Sequence, residues 1–393
     1  MIWVHGGASM NPVMKKIGII GGGQLGKMMI LDAKRLGFEI VTLDPSEKCP
    51  SHSISDKHIQ ASFHDEEAYK ALAEEVDVIT YEFEHIHADF LEALEQAGHI
   101  VYPTASSLKI IQDKYTQKTL LKDSGIPMPD FVKIENLSDL KEAGQNYGYP
   151  FMLKATKGGY DGKGNAVIKS ESDIQTQYEA LGAGVIPLMA ERFCDFVKEV
   201  SVLACRGIDG NIAVYPVAEN IHKESILDET IVPAILEDTS AQKAMKMAHD
   251  VMEIFEGVGM FCTEMFVDEV GDVFLNEVAP RPHNSGHYTI EATLTSQYEQ
   301  HIRAISGLPL GDVSLRCPVV MRNVLGTGDE GPTQINGLDL VYANPNVKVH
   351  LYGKACSKPG RKMGHITVIG SDIDTIRKQA QMAIEKIQII GRV

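Results

Sequence analysis

The stretch LNEVAPRPHNSGH, Leu275–His287, decides how the rest of the chain is read. It follows the alternating apolar run Val267–Phe274, broken at Gly271 and Asp272, a pattern that predicts two strands joined by a tight turn. Glu264 falls on the first strand, and Asn276 and Glu277 at the end of the second, so the two carboxylates face each other across a hairpin. Oxygen ligands so arranged suit magnesium, with Asn276 beside them and positions left for phosphate oxygens and water. A Pro-Arg-Pro corner then fixes the backbone, and Arg281, His283, Asn284 and His287 follow in a loop that apolar packing does not explain. Acidic, basic and amide groups converging where a strand ends predict an active site.

The whole chain frames that site as part of an α/β enzyme. Its 393 residues allow two or three domains, and 44% hydrophobic with 23% charged residues is ordinary for a globular protein. A net charge of −16 argues against a nucleic-acid or membrane-surface binder while permitting a local basic pocket for phosphates. Cys49, Cys194, Cys205, Cys262, Cys317 and Cys356 show no metal spacing and read as reduced thiols of a cytoplasmic protein. No run is apolar for long enough to span a bilayer. Residues 1–14 resemble no signal peptide and are expected to be an extension outside the fold.

Upstream, Lys16–Ile20 predicts a strand, and Gly21, Gly23 and Gly26 fit G-x-G-x-x-G before a helix, with Asp44 closing the next strand. That is the outline of a dinucleotide fingerprint, although a phosphate on the free amides of the helix N-terminus is the milder expectation. A strand at Asp77–Tyr81, a helix at about His87–Ala97, a strand at His99–Tyr102 and a helix at Ser106–Ser124 continue the alternation and imply a parallel sheet. Glu82 and Glu84 stand at a carboxyl end of that sheet, where ligands bind. His85 and His87 read as polar loop residues rather than metal ligands.

Beyond the Pro127–Pro129 boundary, Pro150–Ala155 predicts a strand carrying Lys154, then TKGGYDGKGN, then a strand at Ala166–Ile168. Gly158, Gly159, Gly162 and Gly164 with Lys157 and Lys163 predict a mobile hairpin whose amides close over phosphates, and Tyr160 and Asp161 at its tip could face a second substrate. Strands are expected at Met189–Phe193 and Glu199–Cys205. Their ends and linker could meet an adenine edge and ribose hydroxyls.

Lys114, Lys154, GGYDGKG, ERFCDFVKEVSV, Glu264, LNEVAPRPHNSGH and YGKACSKPGRKMGH (Tyr352–His365), in this order, resemble the ATP-grasp ligases, and among them the 5-(carboxyamino)imidazole ribonucleotide synthases of PurK type. The resemblance runs from about Lys16 to the C-terminus. It implies a Rossmann-like N-terminal domain (15–126) that uses no dinucleotide, a central ATP-grasp domain (127–312) and a small β-rich C-terminal domain (313–393) ending with a helix at Asp372–Ile387. It implies ATP-dependent carboxylation of aminoimidazole ribonucleotide by bicarbonate, with magnesium on Glu264 and Glu277. Lys114, Lys154, the lid Lys157–Gly164, His222 and Asn276 would serve the ATP phosphates. Glu191, Arg192, Phe193 and Cys194 would read adenine, and Glu199 the ribose. Arg281, His283 and Asn284 would grip bicarbonate and the intermediate. Gly22, Gln24, Leu25, Glu82 or Glu84, Tyr160, Asp161, Lys354 and Arg361 would take the ribonucleotide, and Asp161 or His283 the amine proton. A homodimer is also implied, with a separate mutase acting on the product. The alternatives are a formate-using transformylase of the same superfamily and a nicotinamide-dependent oxidoreductase built on GGGQLG.

Overall fold

Gly21, Gly23 and Gly26 let a strand turn sharply into a helix, and the computed structural model, which describes residues 16–159, 164–182 and 184–392, has that turn in place. The N-terminal extension and Tyr160, Asp161, Gly162 and Lys163 lie outside the described residues. Strands Lys16–Ile20, Glu39–Asp44, Lys57–Gln60 and Val78–Tyr81 form a parallel sheet in which Lys16–Ile20 lies between Glu39–Asp44 and Val78–Tyr81. Two details differ from expectation. His99–Tyr102 makes only the bridge Ile79–Val101. The single helix expected at Ser106–Ser124 is two, Ala105–Gln112 and Lys114–Asp123. The break is at Asp113, whose extended backbone stops the first helix and whose carboxylate accepts from the amides of Tyr115 and Thr116 to cap the second.

A second, antiparallel sheet has the order Phe131–Ile134, Leu188–Arg192, Phe151–Ala155, Asn165–Ile168. Its core joins Phe151, Leu153, Ile168 and Ala190 to Leu140 and Ile174 from helices Leu137–Tyr147 and Asp173–Ala180. It carries the glycine-rich hairpin at one edge.

The third sheet is larger and antiparallel. It runs from Val273–Ala279 through Gly259–Val267, Lys198–Arg206, Ala218–Lys223 and Ile226–Val232 into Val319–Asn336, Lys362–Ile369 and Val347–Leu351. The ladder from Glu229–Arg322 to Val232–Val319 therefore joins central and C-terminal parts without a break in hydrogen bonding. Helix Asp238–Phe255 buries Ala244, Met247, Val251 and Met252 against Val200, Val202 and Leu275, with each larger side chain contributing about 1.5–3 kcal/mol. Helix Ile373–Lys386 covers the C-terminal end through Ile376, Ala380 and Ala383, and a strand at Gln388–Gly391 follows it. Among the described residues no helix is long and apolar enough to cross a membrane.

Helix Gln297–Ser306 ties the N-terminal sheet to the large one. Tyr298, Ile302 and Ile305 pack on Met28, Met29 and Ile30 of helix Gln24–Arg35, while His301 meets the Thr80 hydroxyl at 2.8 Å and accepts from the Met260 amide at 3.0 Å. The clefts between the three sheets meet in one cavity.

Gly26 is indispensable to this arrangement, because a Cβ there would lie 2.6 Å from the carbonyl oxygen of Gly21. Gly26→Ala should therefore lower unfolding free energy by about 1–3 kcal/mol, read as an earlier denaturant midpoint at unchanged slope. An unchanged midpoint would mean that the helix can move away freely.

Candidate active site

A hairpin places the first two site residues. Strand Gly259–Val267 pairs with Val273–Ala279 so that Glu264 lies directly opposite Glu277, as the spacing predicts. Both side chains line a cavity of about 760 Å³. Lys114, at the start of its helix, forms an ion pair with Glu277. Its charge holds Glu277 below the usual carboxylate range, whereas burial and the facing Glu277 push Glu264 up. The site thus stores one proton or accepts one more cation.

At one end of the cavity Glu191 is buried between Lys118 and Lys154, each 3.1 Å away. Burial drives Lys118 down to about 8 despite Glu191. Lys118 was not foreseen, although its position four residues after Lys114 puts both on one helix face. These two ammonium groups occupy the Glu191 carboxylate, and Arg192, Phe193 and Cys194 beside it also line the cavity. Glu199 lies 3.0 Å from His222; burial opposes protonation of His222, but the Glu199 carboxylate prevails and raises it. Thr156, Gly158 and Gly159 line the wall, and Lys157 is 3.7 Å from Asp113. The expected contacts of Tyr160, Asp161, Gly162 and Lys163 lie outside the described residues.

The loop after the hairpin supplies the middle of the cavity. Arg281 donates through Nε and an Nη to the two oxygens of Glu84, at 2.5 and 2.9 Å, and through its other Nη to the Pro282 carbonyl at 3.1 Å. Burial favours a neutral Glu84, but Arg281 overrides it and takes Glu84 down to about 2. A chain of hydroxyl and amide groups fixes His283. Thr230 donates to Asn220, Asn220 to Ser201, Ser201 to Ser285 and Ser285 to His283 Nδ1, at 3.0, 2.9, 2.7 and 2.9 Å. The Ser285 amide also donates to Nδ1, so the ring proton sits on Nε2, 3.5 Å from Glu264. Burial and Arg281 push His283 down to about 3, leaving a neutral donor toward the cavity. In that tautomer Nε2 donates and cannot take the amine proton. Asn284 lines the cavity, but its amide pairs reciprocally with Asn323 at 3.0 and 3.1 Å.

The ribonucleotide residues divide. Gln24, Leu25, Glu82 and Glu84 line the cavity. The helix amides expected to hold a phosphate are already engaged: Gly22 donates to Asp44 at 2.8 Å, and Gly23 and Gly26 donate to the two Glu82 oxygens, the latter at 2.7 Å. Gly22 is off the wall, packed against Cys49 where a Cβ would clash. Glu82 occupies the amides that would hold a dinucleotide's pyrophosphate, which counts against the oxidoreductase reading, whereas Asp44 stands where a ribose contact would be expected. Lys354 and Arg361 also sit off the wall. Lys354 donates to the Lys362 carbonyl at 2.8 Å, close enough to Glu82 for its charge to be felt there, and Arg361 donates to the Cys356 carbonyl at 2.7 Å. Lys362 is the cation of that segment on the wall.

Fold and site together define an ATP-grasp enzyme. The ATP-grasp domain family matches residues 119–298, the ribonucleotide synthetase preATP-grasp domain 14–112 and the phosphoribosylaminoimidazole carboxylase C-terminal domain 319–379. The chain is 39% identical over 363 residues to an N5-carboxyaminoimidazole ribonucleotide synthase of Staphylococcus aureus, covering 91% of this chain and 93% of that one. It is 40% identical over 378 residues to the phosphoribosylaminoimidazole carboxylase of Schizosaccharomyces pombe, covering 94% of this chain and 67% of that longer protein. The crystal structure of N5-carboxyaminoimidazole synthase from Aspergillus clavatus in complex with ADP and 5-aminoimidazole ribonucleotide superimposes with a TM-score of 0.87 at 34% identity, over 94% of this chain and 98% of that one. The chain belongs to the PurK-type N5-carboxyaminoimidazole ribonucleotide synthase family.

Replacing Glu84 by Gln leaves the Arg281 charge buried without its anion, so stability at pH 7 should fall by about 3 kcal/mol. Glu84 has its folded pKa depressed, so its contribution is present above about pH 4.5 and is lost as pH falls through about 2. Denaturant unfolding of Glu84→Gln and the unaltered protein should therefore converge on acidification. A gap independent of pH would contradict the ion pair as its source.

Proposed function

We propose that this chain uses ATP to carboxylate 5-aminoimidazole ribonucleotide with bicarbonate, giving 5-(carboxyamino)imidazole ribonucleotide, ADP and phosphate. The observation that carries the reading is one cavity walled by Lys114, Lys154, Glu264, Glu277, Arg281 and His283, with Gln24, Leu25 and Lys362 on the same wall. The names of the curated relatives and the complex of a solved relative with ADP and the ribonucleotide support it.

Bicarbonate is a poor electrophile. Its oxygen attacks the γ-phosphorus of ATP, ADP leaves, and the carboxyphosphate formed carries a phosphate leaving group. The exocyclic amine of the ribonucleotide attacks the carbon, directly or after release of carbon dioxide; phosphate departs and the nitrogen loses a proton. Positioning and charge neutralisation dominate such phosphoryl transfer, and Lys114 and Lys154 supply fixed positive charge for it. Arg281, oriented by Glu84, and the Nε2–H of His283 provide donors for carbonate oxygens. Since His283 is set as a donor, Asp161 is the candidate left for the amine proton. Lys354 and Arg361, with Lys362 on the wall, are the cations offered to the ribonucleotide phosphate.

Magnesium fits the donor set. Among the described residues no cluster of three or more His, Cys, Asp and Glu could hold a metal. Magnesium, however, is commonly held by one or two carboxylates and completes its shell with phosphate oxygens and water, as Glu264 and Glu277 with Asn276 would allow. Bound there, it would neutralise charge on the transferring phosphoryl group. The homodimer, the cytoplasmic location and the separate mutase implied by the resemblance belong to the same proposal.

The deciding assay follows ADP formation with the ribonucleotide present or absent, and with bicarbonate, formate or neither. Turnover should require both ribonucleotide and bicarbonate; turnover with formate instead would favour the transformylase reading. Because Glu264, relieved of the facing charge, can ionise beside Lys114, Glu277→Gln should remain folded and lose turnover by about a hundredfold or more. It should also lose the magnesium-dependent part of the thermal stabilisation given by ATP. Near-normal activity at saturating magnesium would remove Glu277 from this role.

A further inference from the structure

His287 closes the loop on which the site is built, yet none of the steps above uses it. It lines the cavity and is 1% exposed. Its ring lies 4.5 Å from that of His365 and 6.2 Å from that of Tyr352, and His365 in turn stacks on His350 at 4.4 Å, so rotation is blocked. Tyr352 packs in the same apolar cluster as Leu25 and Met28 of the first helix. The ring therefore stands beside Tyr352, where the C-terminal segment meets the cluster of the N-terminal helix that includes Leu25, itself on the cavity wall.

The tautomer of this ring follows from its neighbour. The Gln297 side chain clamps the backbone of His283, its Oε1 accepting from the His283 amide at 2.8 Å and its Nε2 donating to the His283 carbonyl at 2.8 Å. A backbone amide can only donate and a carbonyl only accept, so the Gln297 amide cannot be flipped. Its NH₂ group is thus the atom 3.5 Å from His287 Nδ1, and the Tyr298 hydroxyl lies 2.7 Å from the same nitrogen. The Gln297 NH₂ can only donate, which favours Nδ1 as the acceptor of the Tyr298 hydroxyl and the ring proton on Nε2. Burial holds the ring uncharged. Among the described residues no hydrogen bond engages Nε2, and His287 lines the cavity. Gly286 keeps the clamp possible, since a Cβ there would lie 2.5 Å from Gln297 Oε1.

We propose that His287 is a specificity-determining residue of this site, a fixed neutral imidazole whose Nε2–H donates to a sugar-phosphate oxygen of the ribonucleotide. The inference rests on the functional reading above and adds to it a donor that discriminates the ribonucleotide from ATP. A rigid donor of this kind rewards a correctly placed oxygen and is left unpaired by a ligand that lacks one.

The test compares steady-state ADP formation by the unaltered protein, His287→Leu, His287→Gln and Tyr298→Phe, with thermal melting as the check on folding. His287→Leu should raise the KM for 5-aminoimidazole ribonucleotide about tenfold and leave that for ATP within about twofold. His287→Gln, which keeps an N–H at similar reach, should recover most of the loss. Tyr298→Phe leaves the imidazole in place but removes the hydroxyl that sets its tautomer, and should raise the same KM by a smaller factor. An unchanged ribonucleotide KM in folded His287→Leu, or equal rises for both substrates, would overturn the proposal. If His287→Leu does not fold, an unchanged KM in Tyr298→Phe overturns it instead. Ribonucleotide-independent ADP formation by the unaltered protein would overturn the functional reading itself.

Discussion

Two carboxylates held face to face inside a protein repel each other, and the cavity is organised around that repulsion. The register of one hairpin puts Glu264 opposite Glu277. Lys114 neutralises one of them, and the Nε2–H of His283 points at the other. The pair is left suited to one further positive charge, which in the proposed function a divalent cation with the nucleotide phosphates would supply. A single-residue slip of the hairpin would turn one carboxylate to the opposite face and abolish the site.

Around this pair the protein fixes side chains by hydrogen bonds that begin in other parts of the fold. Glu84, at the end of an N-terminal strand, orients Arg281. A relay from Thr230 to Ser285 sets one imidazole, and Gln297 with Tyr298 sets another. Both rings are neutral and present Nε2–H, an arrangement suited to binding oxygen anions without adding charge that would compete with the lysines. Because the N-terminal sheet, the large sheet and the helix between them contribute different partners, their relative placement is itself part of the site.

Much of this was legible in the sequence. Alternation and a Gly-Asp turn predict the hairpin and the facing carboxylates, and glycines followed by an apolar helix predict the N-terminal turn. The residues that escaped did so for physical reasons. Asn323 reaches Asn284 from 39 positions away, on a separate strand, and no local spacing pairs the two amides. Nothing local shows that Glu82, on the cavity wall, also accepts from the Gly23 and Gly26 amides. Lys118 could have been found from its spacing to Lys114, whereas the placing of Lys362 rather than Lys354 or Arg361 on the cavity wall depends on how a Gly- and Pro-containing loop folds.

The central claim is that ATP is spent on bicarbonate. Turnover with ¹⁸O-labelled bicarbonate and unlabelled water, followed by mass spectrometry of the released phosphate, tests it directly. Passage through carboxyphosphate places one bicarbonate oxygen in each phosphate released, so the product should carry a single ¹⁸O. Phosphate free of label would show that ATP phosphorylates something other than bicarbonate and would contradict the proposed chemistry.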